Sequence, residues 1–192
     1  MWRQARMTKA IYRVRRWIVV LVLAIAVGVS LPSAERIGDR LQIALPVLGL
    51  GCAVLTGGAG EYLLRYVAGT ALVQGSKAAL GQTAINQRPR GGYAGFPSGH
   101  TAAASFGASA LVNECVRASP LLQGTVILAA GFTGASRIEA GAHTIWQVLA
   151  GAVIGFLSER VLRPGSPLRA RLAIRFGWPG CRKRRRGDAP GE

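Results

Sequence analysis

Acidic side chains, histidines and cysteines are all scarce in this sequence of 192 residues. Eight Asp and Glu stand against 24 Lys and Arg, and there are two histidines and three cysteines. The cysteines are far apart and form no Cys-x-x-Cys pair, so neither a disulfide framework nor a zinc site is expected. Cys52 and Cys115 lie in apolar runs, where we expect free thiols that behave as small hydrophobes.

Charge is also nearly absent from the middle of the chain. Residues 41–158 contain six of the 24 basic residues and three of the eight acids, so the net charge of +16 belongs mainly to the two ends. A nucleic-acid binder is expected to interleave basic and aromatic side chains, and these basic ends lack that pattern. We therefore expect no nucleic-acid partner, because basic ends on an apolar middle are typical of a membrane protein.

Six apolar runs fill the chain between its basic ends. Several are shorter than the about 20 residues that a spanning helix needs, but six in succession with almost no internal charge argue against a soluble domain. We expect an all-α fold, a bundle of six transmembrane helices over residues 17–163, between a basic segment at 1–16 and a basic tail at 164–192. The runs are Trp17–Leu31, Leu41–Thr56, Tyr62–Leu80, Thr101–Val116, Leu121–Ala135 and Thr144–Leu162.

The charge distribution also predicts the orientation. Both basic ends should lie in the cytoplasm, near anionic lipid headgroups, and six spans place both ends on one side. The loops after spans one, three and five then face outward. The first run also resembles a signal peptide, although Pro32 fits the cleavage site badly; cleavage would leave the other spans as they are. Gly151 and Gly155 form a Gly-x-x-x-Gly pair that suits packing within the chain or between chains, so the oligomeric state stays open.

Both histidines fall on the predicted outer side. His100 stands where the loop "RPRGGYAGFPSGH" becomes the fourth span, and His143 lies between spans five and six. Ionisable residues at the edge of an apolar region are costly and therefore suggest function. Most of the central cations map to the same face: Lys77, Arg88, Arg90 and Arg137.

This combination of residue types suits a phosphate. Guanidinium groups donate paired hydrogen bonds to oxyanions, and a helix N-terminus at Ser98-Gly99-His100 would favour an anion. Simpler roles stay open for three residues, since Ser98 suits a helix cap, Lys77 suits snorkelling to the interface and Arg90 suits a solvated loop. No carboxylate cluster suggests a metal, so we expect cations to stabilise the charge without a metal or other cofactor.

Three motifs, in this order, carry a resemblance to a known family. They are Arg88-Pro89, the complete Pro97-Ser98-Gly99-His100, and Ser136-Arg137 followed after five residues by His143. Together they resemble the type-2 phosphatidic acid phosphatase superfamily, which also contains the vanadium haloperoxidases. The resemblance covers about residues 75–155, and the six-span layout is similar to the integral-membrane branch of that family.

The resemblance implies a role for each matching residue. His143 would be the nucleophile that forms a phosphohistidine, and His100 would protonate the leaving oxygen. The phosphoryl oxygens would be held by Arg88, Ser98, the Gly99 amide and Arg137, with Lys77 as the candidate lysine. A covalent intermediate divides one difficult displacement into two easier ones.

The sequence departs from the family pattern at two positions. Gly81 stands where the pattern has lysine, and Lys77 lies one helical turn earlier, some 6 Å away. Gln147 stands where the pattern has aspartate; at this spacing its carbonyl can orient the ring of His143 but cannot supply negative charge. The stretch "HTIWQVL" is similar to the dolichyl-diphosphatase-like branch, and this similarity favours a polyprenyl diphosphate as the substrate. Glu139 is the acid nearest to His143 in the sequence and could substitute for the missing aspartate.

We therefore expect a multi-pass membrane phosphatase that hydrolyses a lipid phosphomonoester or a polyprenyl diphosphate. In a bacterium its active site would face the periplasm from the inner membrane. Two alternatives remain at this point. One is a phosphotransferase that uses the same site, and the other is a degraded site that binds lipid phosphate without turnover.

Overall fold

The computed structural model describes residues 14, 17–22, 33–161, 163, 166–167 and 171. These residues form helices and loops and contain no strand, as the sequence predicts. Residues 14 and 17–22 are helical; the rest of the predicted first span and most of both basic ends lie outside the described residues. Five longer helices follow: α1 (Ala34–Leu55), α2 (Ala59–Leu80), α3 (Gly99–Ala110), α4 (Pro120–Glu139) and α5 (Ile145–Val161).

Helix α1 begins seven residues before the predicted second span. Ser33 caps it, because its hydroxyl accepts the amide of Arg36 at 3.3 Å, and Glu35 places a negative charge in the first turn. The prediction from hydropathy began at Leu41 because the charged residues before it interrupt the apolar run. Glu35 and Asp39 are therefore helical residues and not part of a loop.

Helix α3 continues into a π-helical turn, Leu111–Cys115, so that the two together cover the predicted fourth span. This turn carries Cys115, which is joined to Cys52 of α1 as a disulfide with a Cα–Cα distance of 6.0 Å. The expectation of two free thiols is therefore wrong. The two cysteines are 63 positions apart, and only the packing of α1 against α3 brings them together.

Helix α3 is held closely between α1 and α5 by glycines. A side chain at Gly107 would collide with the backbone of α1 at Leu45 and Pro46, and side chains at Gly151 and Gly155 would collide with the backbone of Ser98 and Ala102. The Gly-x-x-x-Gly pair of α5 thus packs against α3 within the chain. Small residues allow helix backbones to approach in this way.

An ion-pair network ties the helices together at the end opposite both histidines. Arg65 of α2 is 3% exposed and donates to Glu159 of α5, which is fully buried, at 2.6 Å. Glu159 also accepts from Ser109 at 2.6 Å, and Arg163 links it to Glu114. The network holds equal numbers of positive and negative groups, as buried charges require.

One helix in the described part of the chain, Ala34–Leu55, is long and apolar enough to cross a membrane by length and composition. A buried core helix can have the same length and composition. Six transmembrane helices are therefore not established, and the membrane arrangement is part of the function proposed below. What is observed directly is that large apolar side chains are exposed along α1, α2, α4 and α5.

Candidate active site

The helices alternate in direction, so that five helix ends meet at one end of the bundle. These are the first turns of α1, α3 and α5 and the last turns of α2 and α4. They enclose a cavity of about 420 Å³ that both histidines line. His100 and His143 thus belong to one site, which also contains Lys77, Arg88, Arg90, Gly99 and Arg137.

Lys77 and Arg88 converge on one backbone oxygen. Nζ of Lys77 donates to the carbonyl of Ala94 at 2.7 Å, and Nη2 of Arg88 donates to the same carbonyl at 3.1 Å. Lys77 therefore reaches the site from one turn earlier on α2 than the family pattern places its lysine. Nε of Arg88 is buried and has no hydrogen-bond partner among the described residues, which is unusual for a buried donor.

Asn86, which the sequence analysis did not single out, organises the loop between α2 and α3. Its Nδ2 donates to the carbonyls of Lys77 and Gly81, and its Oδ1 accepts the amide of Phe96 at 3.0 Å. The side chain is 1% exposed and ends the short 3-10 turn Ala84–Asn86. An Asn between turn residues is a common loop signal, but its partners lie up to ten positions away and cannot be read from the sequence.

His143 is a buried imidazole held by Gln147. Its Nδ1 lies 3.2 Å from Oε1 of Gln147, and its own amide donates to the carbonyl of Arg137. Since an amide oxygen can only accept, Nδ1 carries the hydrogen and Nε2 keeps its lone pair. Burial lowers the pKa of His143 to about 4, against the effect of the Gln147 hydrogen bond, so the ring is neutral at physiological pH.

Gln147 uses all of its hydrogen-bonding groups. Besides His143, its Oε1 accepts the amide of Thr144 at 3.1 Å. Its Nε2 donates to the carbonyls of Ile85 at 3.0 Å and Gln87 at 2.8 Å. A carboxylate at this position could not donate to those two carbonyls, because it has acceptors only. The loop that carries Arg88 is therefore tied to the residue that orients His143.

Ser98 and Gly99, both predicted to bind phosphate, lie at the N-terminus of α3, but one of them lines the cavity and the other does not. Ser98 is fully buried; its hydroxyl caps the helix by accepting from the amide and the hydroxyl of Thr101. It does not belong to the described residues that line the cavity, whereas Gly99 does. The first turn of α3 therefore faces the cavity through Gly99 and His100.

Arg137 is buried at the last turn of α4 and is bound by the first turns of α1. Nη1 donates to Asp39 at 2.9 Å, and Nη2 donates to the backbone carbonyl of Glu35 at 2.6 Å. The carboxylate of Glu35 also lies 3.6 Å from Nη1 and 3.2 Å from Arg90. The sequence analysis missed both acids, although the predicted topology placed their segment on the outer side with the histidines.

His100 faces the same acidic turn. Its Nε2 lies 3.2 Å from Oδ1 of Asp39, and its side chain is 35% exposed. His100 lies one residue before the predicted fourth span, which begins at Thr101, and is therefore outside it. Burial and the charge of Arg137 lower the pKa of His100, while Asp39 acts in the opposite direction. No group of three His, Cys, Asp or Glu residues in the described ranges is placed to hold a metal ion.

Comparison with known protein families gives a match. A family model described as PAP2 superfamily matches residues 60–168, which include every cavity-lining cation and both histidines. A search of curated proteins and a search of solved structures return no significant match. The matched segment begins after α1, so Glu35 and Asp39 lie outside it.

Proposed function

Because the chain belongs to the PAP2 superfamily, we propose that it is a membrane phosphatase that hydrolyses a phosphorylated lipid through a phosphohistidine at His143. Membership of this superfamily implies phosphatase-type activity on phosphorylated substrates. The observation that carries the mechanism is the His143–Gln147 pair, which leaves a neutral, oriented Nε2 beside a cationic cavity. That is the arrangement a nucleophile needs to attack a phosphoryl group.

In the first half of the reaction, Nε2 of His143 attacks phosphorus and the bond from phosphorus to the leaving oxygen breaks. His100 donates a proton to that oxygen, so the lipid leaves as an alcohol or as a lipid monophosphate. The phosphorylated imidazole keeps its hydrogen on Nδ1, where Oε1 of Gln147 accepts it. Gln147 thus orients the ring without neutralising it.

In the second half, water attacks phosphorus and the bond to Nε2 breaks. The neutral His100 takes a proton from the water, which restores the acid for the next cycle. His143 returns to its starting state and inorganic phosphate is released. No electrons are exchanged, and the one molecule consumed besides the substrate is water.

The cations of the cavity supply the electrostatic part of the mechanism. Arg88 offers its unpartnered Nε, and Lys77 lies beside it on the shared Ala94 carbonyl. Arg137 approaches from α4. Groups fixed in place before the reaction stabilise the charge on the equatorial phosphoryl oxygens with little reorganisation. This chemistry assigns no step to a metal ion or to another cofactor.

A lipid substrate is favoured by the exposed apolar surface of the helix bundle. Leu121, Leu128 and Trp146 have 80%, 75% and 72% of their surface exposed, although all three are apolar. Exposed apolar surface of this kind marks contact with a membrane or a partner. The cavity also continues between α2 and α5 as far as Tyr66 and Ser158, which gives an acyl or polyprenyl chain a path away from the phosphate.

We further propose that the helices span a membrane with the active site at its outer leaflet. The charged residues of α1–α5 lie mainly toward the helix ends, and the buried Arg65 and Glu159 pair with each other at the end opposite the histidines. In lipid, ionisable groups are paired in this way. The basic ends then lie in the cytoplasm, and in a bacterium the site faces the periplasm.

The test is phosphate release by the purified full-length protein in detergent without added metal. The substrates are undecaprenyl diphosphate, phosphatidic acid, phosphatidylglycerol phosphate and lipid A, with His143→Ala and His100→Ala as control variants. We expect release with the wild-type protein and its near-complete loss in both variants. A second measurement uses substrate with a radioactive terminal phosphate and looks for acid-labile label on the protein, which should be absent in His143→Ala.

Each other outcome points to a different conclusion. An active His143→Ala protein would contradict the covalent mechanism. Phosphorylated lipid product in place of free phosphate would identify a phosphotransferase. Binding of a phosphate analogue by folded protein, without turnover of any lipid, would identify a degraded site.

A further inference from the structure

A carboxylate from outside the segment that matches the family contacts the proposed acid. Asp39 lies on α1, whereas the match begins at residue 60. One oxygen of Asp39 is 3.2 Å from Nε2 of His100 and 2.9 Å from Nη1 of Arg137. Asp39 therefore joins His100, the proposed acid, to Arg137, a proposed phosphate ligand. The roles predicted for these two residues do not explain why a carboxylate lies between them.

Close packing fixes the place of this carboxylate. Gly38, the residue before Asp39, packs directly on Ser136, and a Cβ at position 38 would overlap its hydroxyl. The carbonyl of Glu35 accepts from Nη2 of Arg137 at 2.6 Å, which holds the first turns of α1 against the end of α4. Asp39 is thus held by the helix that carries it and is not a freely moving surface acid, although 44% of its side chain is exposed.

We propose that Asp39 is a positioning residue that raises the fraction of His100 in the protonated form, from which it can donate to the leaving oxygen. This inference rests on the proposed phosphatase function. Nε2–H of His100 donates to Asp39, which leaves Nδ1–H as the proton for the leaving oxygen. Asp39 remains a carboxylate throughout, and His100 regains its proton from the attacking water.

The charges around His100 explain why it needs such a partner. Arg137 from α4 and Lys77 from α2 both disfavour the imidazolium, as does burial of the ring, and together these effects lower the pKa of His100. From α1, Asp39 opposes them, whereas Glu35 pairs with Arg90 and Arg137 instead. His143, before α5, is neutral near physiological pH. Without Asp39, a smaller fraction of His100 would be protonated at the working pH.

An alternative role for Asp39 in the same contact predicts the opposite effect of removing its carboxylate. Asp39 could act only as a competitor that occupies Arg137 until a phosphate displaces it. Removing the carboxylate would then open the anion site and raise activity or lower KM. The two roles differ in how the loss of the carboxylate affects substrates with different leaving groups. A general acid contributes most to turnover when the leaving group is poor.

The experiment compares Asp39→Asn with wild type on two phosphomonoesters, a long-chain alkyl phosphate and p-nitrophenyl phosphate. The second releases a stabilised phenolate that needs little protonation. General acid catalysis contributes about 10²–10⁴-fold, so we expect kcat for the alkyl ester to fall at least about tenfold and kcat for the aryl ester to change little. The basic limb of the kcat/KM profile should move to lower pH, and Asp39→Glu should recover part of the loss.

Glu35→Gln is the matched control, because it removes a carboxylate from the same helix face that contacts Arg137 but not His100. It should leave the ratio of alkyl to aryl turnover and the basic limb where they are in wild type. The inference would be overturned if Asp39→Asn lost kcat equally on the two esters or turned over faster than wild type. It would also be overturned if the basic limb of the kcat/KM profile did not move. Thermal unfolding of each variant in detergent verifies that folded protein is compared.

The controls separate this inference from the proposed function. If wild type hydrolyses neither ester nor any lipid, or if His143→Ala is as active as wild type, the proposed function fails and this inference fails with it. If wild type is active, His143→Ala is inactive, and Asp39→Asn loses activity equally on both esters, the inference about Asp39 alone is wrong.

Discussion

Nδ1 of His143 lies 3.2 Å from Oε1 of Gln147, and the amide nitrogen of the same Gln147 side chain ties down the loop that carries Arg88. The orientation of the proposed nucleophile and the position of a proposed phosphate ligand therefore depend on one residue. Where the family pattern has an aspartate, this chain has a residue that both accepts and donates. The difference has a consequence that can be measured.

Gln147→Glu should lower both stability and activity, although Glu is similar in size to Gln. The carboxylate keeps the acceptor for His143 but faces the carbonyls of Ile85 and Gln87 without a hydrogen to donate. An unsatisfied buried group costs about 1–3 kcal/mol, so we expect lower thermal stability in detergent and a loss of kcat. Gln147→Ala, which removes the donors without adding charge, is the comparison. Full stability and activity of Gln147→Glu would show that the two carbonyl contacts do not matter.

Lys77→Met should weaken turnover although Lys77 is displaced by one turn from the family position. Its Nζ lies with Arg88 on the Ala94 carbonyl, so its loss removes one charged donor from the cavity. Hydrogen bonds to charged groups contribute about 1.5–3 kcal/mol, which corresponds to a roughly tenfold to hundredfold fall in kcat/KM. Arg117→Gln is the matched control, since Arg117 is exposed and does not line the cavity. Equal small losses in the two variants would remove Lys77 from the site.

The acid limb of kcat/KM should lie near pH 4 and not near the ordinary histidine value of 6.5. The profile of kcat/KM reports the free enzyme, in which burial lowers the pKa of His143 to about 4. His143 is the nucleophile only when it is neutral, so activity should persist down to about that pH. An acid limb near 6.5 would mean that the ring is not desolvated as the structure has it.

The same pKa predicts the pH dependence of stability. Between about pH 4 and pH 6.5 the unfolded chain binds a proton at His143 that the folded chain does not, so stability rises with pH in that window and falls on acidification. Thermal unfolding of His143→Gln should lack this component. If the two proteins lose stability in parallel over the window, His143 does not contribute.

Gly155→Ala should destabilise the protein, whereas Gly75→Ala should not. A Cβ at position 155 would collide with the backbone of Ala102, and helix α3 or α5 would have to move. A Cβ at position 75 meets no atom within 4 Å, and alanine in a helix interior is favoured over glycine by about 0.5–1 kcal/mol. Melting temperatures in detergent measure both effects. Equal melting temperatures would contradict the close contact of α3 with α5.

The sequence predicted the helical fold because the apolar runs are long and almost free of charge. Five of the six predicted runs correspond to helices within a few residues, apart from the start of α1. That start was misplaced because Glu35, Arg36 and Asp39 interrupt the apolar run, although Ser33 is a helix-cap residue type. Hydropathy detects runs of apolar side chains and does not detect a helical turn whose side chains are charged.

The sequence by itself determined the chemistry of the site. Two histidines, the arginines and the Pro-Ser-Gly-His motif are residue types whose protonation and hydrogen bonding suit a phosphate wherever the chain places them. Only the tertiary structure decided how they are arranged. It decided that Lys77 reaches Arg88, that Ser98 caps α3 away from the cavity, that Asn86 and Gln147 hold the loop, and that Asp39 faces His100. These contacts join residues up to 62 positions apart, and the packing of small residues between helices sets them.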